Sequence, residues 1–115
     1  MIRAGDIYQA DLLGAGRRPV LIISRESLNR GHYVCAVAFT TARLDVRRQL
    51  PNYVFFRADS FGLTADCVAQ CETLTSLDVA QLDLLTGPVG RLDDATMKLI
   101  IRAIGHVIQS ECELL

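Results

Sequence analysis

Apolar positions fall into short runs along most of the chain and into one helical stripe at its end. Residues 6–12, DIYQADL, alternate weakly between apolar and polar and predict a strand. Residues 19–24, PVLIIS, are too continuously apolar for a half-exposed strand and predict a central one, with Pro19 at its first position, where a missing N–H is tolerated. The glycine-bearing loop LGAGRR joins the two, and RESLNRG predicts a single helical turn ending at Gly31. Residues 33–40, YVCAVAFT, form a second buried strand. A polar, arginine-bearing loop over 41–52 follows, then strands over 53–57 and 66–74, a turn at DSFGL between them, a helical turn in SLDVAQL and a last short strand in LTGPVGRL. From Asp93, which suits an N-cap, Met97, Ile100, Ile101, Ile104, Val107, Ile108 and Cys112 recur at helical spacing. The fold class expected is mainly β with a C-terminal helix: a small, strongly bent antiparallel sheet or barrel closed by that helix.

Length and composition narrow this picture. The 115 residues, half of them apolar, suit one domain over 1–115 with one core. No apolar run approaches the ~18 residues of a membrane span, and the N-terminus has no cleavable signal pattern, so a cytoplasmic location is expected. Four cysteines, at 35, 67, 71 and 112, have no zinc-site spacing, and Cys67 and Cys71 lie too far apart on a strand for a disulfide; all four read as small buried apolar groups.

Charge changes the picture more. Net charge is −1, but residues 1–57 hold nine arginines against four acids and the remainder three cations against nine acids. Such asymmetry fits a surface facing a polyanion, and eleven of the twelve cations are arginine, the better bidentate partner for phosphate.

Candidate chemistry gathers in the basic half. The chain lacks a phosphate-binding P-loop, a nucleophile elbow and a zincin motif. Arg17 and Arg18 precede one strand, Thr40 and Thr41 end the next, and Arg43, Arg47 and Arg48 follow. If the two strands pair antiparallel, Arg18 and Thr40 meet at one end of the sheet. An arginine there neutralises charge growing on a pentacoordinate phosphorus, and a hydroxyl binds a non-bridging oxygen. RNA carries its own nucleophile, the 2′-OH, so such a site needs neither metal nor cofactor. A purely structural arginine–threonine cluster, with Arg18 stapled to a carboxylate such as Asp6, fits the same pattern. His106 reads as structural, while His32, placed near the arginine loops, is a possible proton-transfer group.

Five segments, in order and spacing, resemble the MazF/PemK family of toxin endoribonucleases: AGDIYQADL, RRPVLIIS, VAFTTA, GLTADCVAQCETLTSLD and GPVGRLDDATM. The resemblance implies an SH3-like antiparallel barrel, a homodimer, and metal-independent, sequence-selective cleavage of single-stranded RNA through a 2′,3′-cyclic phosphate. It places the catalytic arginine on Arg18 and the catalytic threonine on Thr40, with Thr41 in the adjacent hydroxyl position. Arg17, Thr41 and Arg43 are then expected to hold the flanking RNA backbone, with Arg47 and Arg48 as more distant steering charges. It also implies a cognate antitoxin laying an acidic, extended tail across the basic groove. The chain departs from the family pattern in its short LGAGRR loop, in Ala4 and Ala38, and in Thr73 and Thr75, which stand where the pattern has Gln and Arg. Two other readings remain beside the ribonuclease: a non-enzymatic, gyrase-poison-like toxin acting through the C-terminal helix end, and a catalytically inert family member.

Overall fold

A computed structural model describes residues 1–108. Strands β1 (Asp6–Leu12), β2 (Gly16–Ile22), β3 (Tyr33–Thr40), β4 (Tyr53–Phe56), β5 (Cys67–Asp78) and β6 (Gly90–Arg91) form one antiparallel sheet in the spatial order β4-β5-β3-β2-β1-β6. A one-turn helix α1 (Leu44–Arg47), a 3-10 turn (Val79–Gln81) and helix α2 (Asp94–Val107) complete the chain.

The apolar runs of β2 and β3 reflect burial on both faces of the sheet. On one face Ile7, Leu21, Val37, Phe39, Ala69 and Cys71 pack with Ile100 and Ala103 of α2. On the other, Tyr8, Ala10, Val20, Ile22, Ala36 and Ala38 pack with Leu77 and Leu82. The sheet curls into a half-barrel over the first face. Its two edges meet through backbone rather than through a strand pair: a Cβ added to Gly62 would lie 1.9 Å from the Val89 carbonyl oxygen, and one added to Gly90 would lie 1.6 Å from that of Phe61. Only glycine permits this approach, and it carries the loop after β4 against β6.

Several element boundaries differ from the sequence-based expectation. Strand β2 starts at Gly16, so Pro19 is its fourth residue and not its first. The Ile7 and Gln9 carbonyls accept from Val89 and Asp83, so these β1 residues turn their backbone groups away from β2. Pro19, opposite Gln9, therefore points its missing N–H toward β3, whose pairing with β2 begins only at Val20. Strand β5 runs to Asp78 rather than 74, which shrinks the expected turn over 76–82 to Val79–Gln81. The segment 41–52 is not all loop, because α1 forms within it. Residues 26–30 make the expected single turn, with Leu28 and Asn29 N–H donating to the Arg25 carbonyl.

Asp93 caps α2 by accepting from the Thr96 N–H. The apolar stripe is narrower than its sequence pattern: Ile100 and Ala103 are buried and Met97 and Ile104 half-buried, while Ile101, Val107 and Ile108 are exposed. Ile101 sits about 100° round the helix from Ile100, beyond what the curved sheet covers. Cys35 is likewise exposed, contrary to the buried role expected of it, whereas Cys67 and Cys71 belong to the core; Cys112 lies outside the described residues.

Candidate active site

The register of β2 on β3 pairs Val20 with Ala38, Leu21 with Val37 and Ile22 with Ala36. Continued by two residues, it sets Arg18 opposite Thr40. Side chains two apart share a face, so both project on the side of Val20 and Ala38. At this end a cavity of about 320 Å³ opens, bordered by Arg17, Arg18, Thr40 and Thr41. Gln9, Pro19 and Phe39, on the opposite face of the sheet, also line the cavity, which therefore reaches round the sheet end, and Leu63, Thr64 and Ala65, delivered by the Gly62–β6 contact, form one wall.

Hydrogen bonding decides what these groups have left to offer. Thr40 Oγ1 accepts the Ala42 N–H at 3.2 Å, which leaves its own proton to donate. Arg18 donates one long bond, Nη2 to the Ala15 carbonyl at 3.4 Å. No carboxylate pairs with it among the described residues, whose two ion pairs are Arg17–Asp83 and Arg91–Asp6. The stapled alternative therefore fails on geometry: Asp6 is buried and accepts from the Arg3 N–H at 2.9 Å and Arg91 Nη1 at 2.7 Å.

The other expected residues divide. Arg17 borders the cavity but is held by Asp83 at 2.5 Å. Arg17, and after it the backbone and hydroxyl of Thr86, hold the Asp83 carboxyl down at about 2. Thr41 is exposed at the cavity rim. Arg43, Arg47 and Arg48 do not border the cavity. Arg43 is left-handed at φ 55° where the chain turns into α1. The Arg47 guanidinium lies 5.8 Å from the Tyr53 ring centroid and that of Arg48 3.9 Å from the Phe55 ring, so both charges rest on aromatic faces of β4. His32 is placed against expectation. It precedes β3 while Thr40 ends it, a separation of eight residues or about 26 Å, so it does not join this cluster.

Two neighbours complete the electrostatics. Cys67 also borders the cavity, and burial, with Asp66 second, pushes its thiol up to about 11, which keeps it protonated and non-nucleophilic. At the far edge Glu72 accepts from Asn52 (3.0 Å), Tyr53 and Gln70 (3.2 Å). Burial raises the Glu72 carboxyl, but the bonds from Tyr53, its own backbone, Gln70 and Asn52 outweigh that and hold it below its usual value. Sequence reasoning missed Gln9, the Leu63–Ala65 wall and Asp83; the one local signal was glycine at 62 and 90. The C-terminal end invoked for a gyrase-poison-like toxin lies largely outside the described residues.

Comparison with known proteins places the chain and its fold. Endoribonuclease EndoA of Bacillus subtilis is 32% identical over 110 residues, covering 90% of this chain and 91% of that protein. Endoribonuclease MazF of Staphylococcus saprophyticus is 32% identical over 122 residues, covering 96% and 98%. A mycobacterial endoribonuclease solved in complex with its cognate antitoxin superposes with a TM-score of 0.75 at 30% identity, covering 93% of this chain and 94% of that one. Residues 3–108 match the family described as the PemK-like, MazF-like toxin of type II toxin-antitoxin systems, and the chain belongs to that family.

Proposed function

We propose that this protein is the toxin of a type II toxin–antitoxin pair and cuts single-stranded RNA without metal and with sequence selectivity. The observation that carries the reading is that Arg18 and Thr40 border one cavity, with donors that no group among the described residues takes up. In the proposed step the RNA 2′-OH attacks the adjacent phosphorus and the bond to the 5′ oxygen breaks. A 2′,3′-cyclic phosphate and a 5′-OH result. Arg18 neutralises the charge growing on the phosphorane, and Thr40 donates to a non-bridging oxygen. Arg17 exchanges Asp83 for the RNA backbone, Thr41 and Arg43 hold flanking phosphates, and Arg47 and Arg48 act from a distance as steering charges. His32 takes no part, because it lies at the other end of β3.

The partner is an antitoxin whose acidic, extended tail covers the same arginines, in keeping with the mycobacterial relative solved with its cognate antitoxin. The working form is a homodimer in the cytoplasm: Leu13 and Leu85 stand 92% and 102% exposed, and a second copy gives such side chains cover. The test is incubation of pure protein with long single-stranded RNA in excess chelator, with analysis of the product ends. Cyclic-phosphate ends that vanish in Arg18→Ala are expected. Intact RNA, or equal cutting by that variant, overturns the reading.

A further inference from the structure

Arg18 also stands at the mouth of a second groove, of about 150 Å³, with a floor of Val20, Ala36 and Ala38 and sides of Leu77, Thr73 and Thr75. The groove exists for reasons visible in the sequence. Alanine at 36 and 38 leaves the floor low. The β3–β5 ladder slips between them, Ala38 facing Gln70 but Ala36 facing Thr75, so three extra residues of β5 bulge out and form a side wall. Threonine at 73 and 75, short side chains both, keeps that wall low.

The two threonines are not equivalent. Thr73 Oγ1 accepts the Ala38 N–H at 2.9 Å and donates to the Gln70 carbonyl at 2.6 Å. It repairs the slipped ladder and has no proton left for a ligand. Thr75 is exposed and makes no side-chain hydrogen bond among the described residues, so its hydroxyl is available at the rim together with Arg18.

We propose that this groove seats a pyrimidine base of the RNA, next to the phosphodiester gripped at Arg18, and so sets the base preference beside the cleaved bond. The inference rests on the ribonuclease reading. Size argues for one ring: an apolar cavity of about 150 Å³ holds a single six-membered ring such as benzene, and a purine adds a fused five-membered ring. Position argues for a base next to the reacting phosphate, because one guanidinium borders both the cavity and the groove. Chemistry argues for a pyrimidine with its O2 carbonyl turned to the rim, where Arg18 and Thr75 donate, and its ring on the apolar floor.

The experiment has two arms. In the first, wild type cuts a random-sequence RNA library and the bases beside each cut are counted. In the second, Thr40→Ala binds oligocytidylate, oligouridylate and oligoadenylate at equilibrium, alone and with Thr75→Arg or Ala38→Leu added to fill the groove. Cuts with a pyrimidine at one fixed flanking position, at least ~10-fold over purine, are expected. Pyrimidine oligomers are expected to bind ~10-fold tighter than oligoadenylate to Thr40→Ala, and the ratio to fall toward one in both filled variants, whose thermal melting confirms that they fold. Thr75→Val, which keeps the shape and removes the hydroxyl, costs a few-fold in pyrimidine binding. A purine preference, or a ratio unchanged by filling, overturns the proposal. So does a filled variant that changes only its sedimentation, since the groove is then covered by a second copy. If wild type leaves the library intact, the ribonuclease reading fails, while the binding arm still decides what the groove accepts.

Discussion

The two ends of β2 treat charge in opposite ways. Beside Ile22, polar groups are buried and fully committed. Asp6 is 3% exposed and takes a backbone N–H and the Arg91 guanidinium. Asn29 is 7% exposed and bonds Ser24 twice and the Ile2 carbonyl once. Beside Arg18, donors border a cavity, and Arg18 itself makes one long bond and no ion pair among the described residues. The difference separates two uses of an arginine. Arg91 satisfies a buried carboxylate and holds the N-terminal turn to β6. Arg18 is held in place by strand register with most of its donors open, the arrangement of a ligand site.

The largest effect should come from exchanging the fates of these two residues. Arg18→Ala should lower RNA cleavage ~10²–10³-fold and leave the melting temperature nearly unchanged. Arg91→Ala should do the reverse, costing ~1–3 kcal/mol of stability through the unpaired Asp6 while cutting at the wild-type rate below its melting point. Chemical denaturation and a single-turnover cleavage assay on both variants measure the contrast. Next in size is Gly90→Ala, whose Cβ meets backbone and should cost ~3 kcal/mol or more, read as a fall in melting temperature. It should also weaken cleavage, because the displaced loop carries the Leu63–Ala65 wall.

A smaller effect tests Arg17, which stands between the two behaviours. Asp83→Asn removes its anionic partner, so single-stranded RNA should bind a few-fold tighter at low salt, with the salt slope steeper by about one counterion. The carboxyl is held at about 2, below its unfolded value, so the lock is complete above the unfolded value and weakens as pH falls toward 2. Wild-type binding should therefore show no titration of this pair between pH 5 and 9. The smallest contrast is among the thiols. In a Cys112→Ser background Cys35 should react with a thiol reagent at pH 8 at least ~10²-fold faster than Cys67 and Cys71, whose burial raises them to about 11 and about 12.

How far the sequence foretold this arrangement depends on the range of the interaction. Strand β3, the cap at Asp93 and the placing of Arg18 and Thr40 at one end of the sheet were legible, because alternation, capping chemistry and a short antiparallel connection are local. The fate of each arginine was not. Whether Arg17 meets Asp83, 66 residues on, or Arg48 meets Phe55 follows from the curl of the sheet. His32 looked close to the site along the chain and is a strand's length away in space. Thr73 read as a lost long side chain, yet it is the hydroxyl that mends a slipped ladder; the slip of three inverts the alternation, and apolar residues on both faces of the sheet hide the inversion in the sequence. The narrow buried stripe of α2 shows the same limit: periodicity locates a helix but not how much of it a curved sheet covers.

The central claim is that one guanidinium and one hydroxyl act together on one phosphate, and a double-mutant cycle on cleavage measures that coupling. Arg18→Ala and Thr40→Ala should each slow single-turnover cutting at least ~10²-fold, and the double variant should be about as slow as the slower single one. Losses that simply multiply, or either single variant cutting at the wild-type rate, would show that the two groups do not share a substrate.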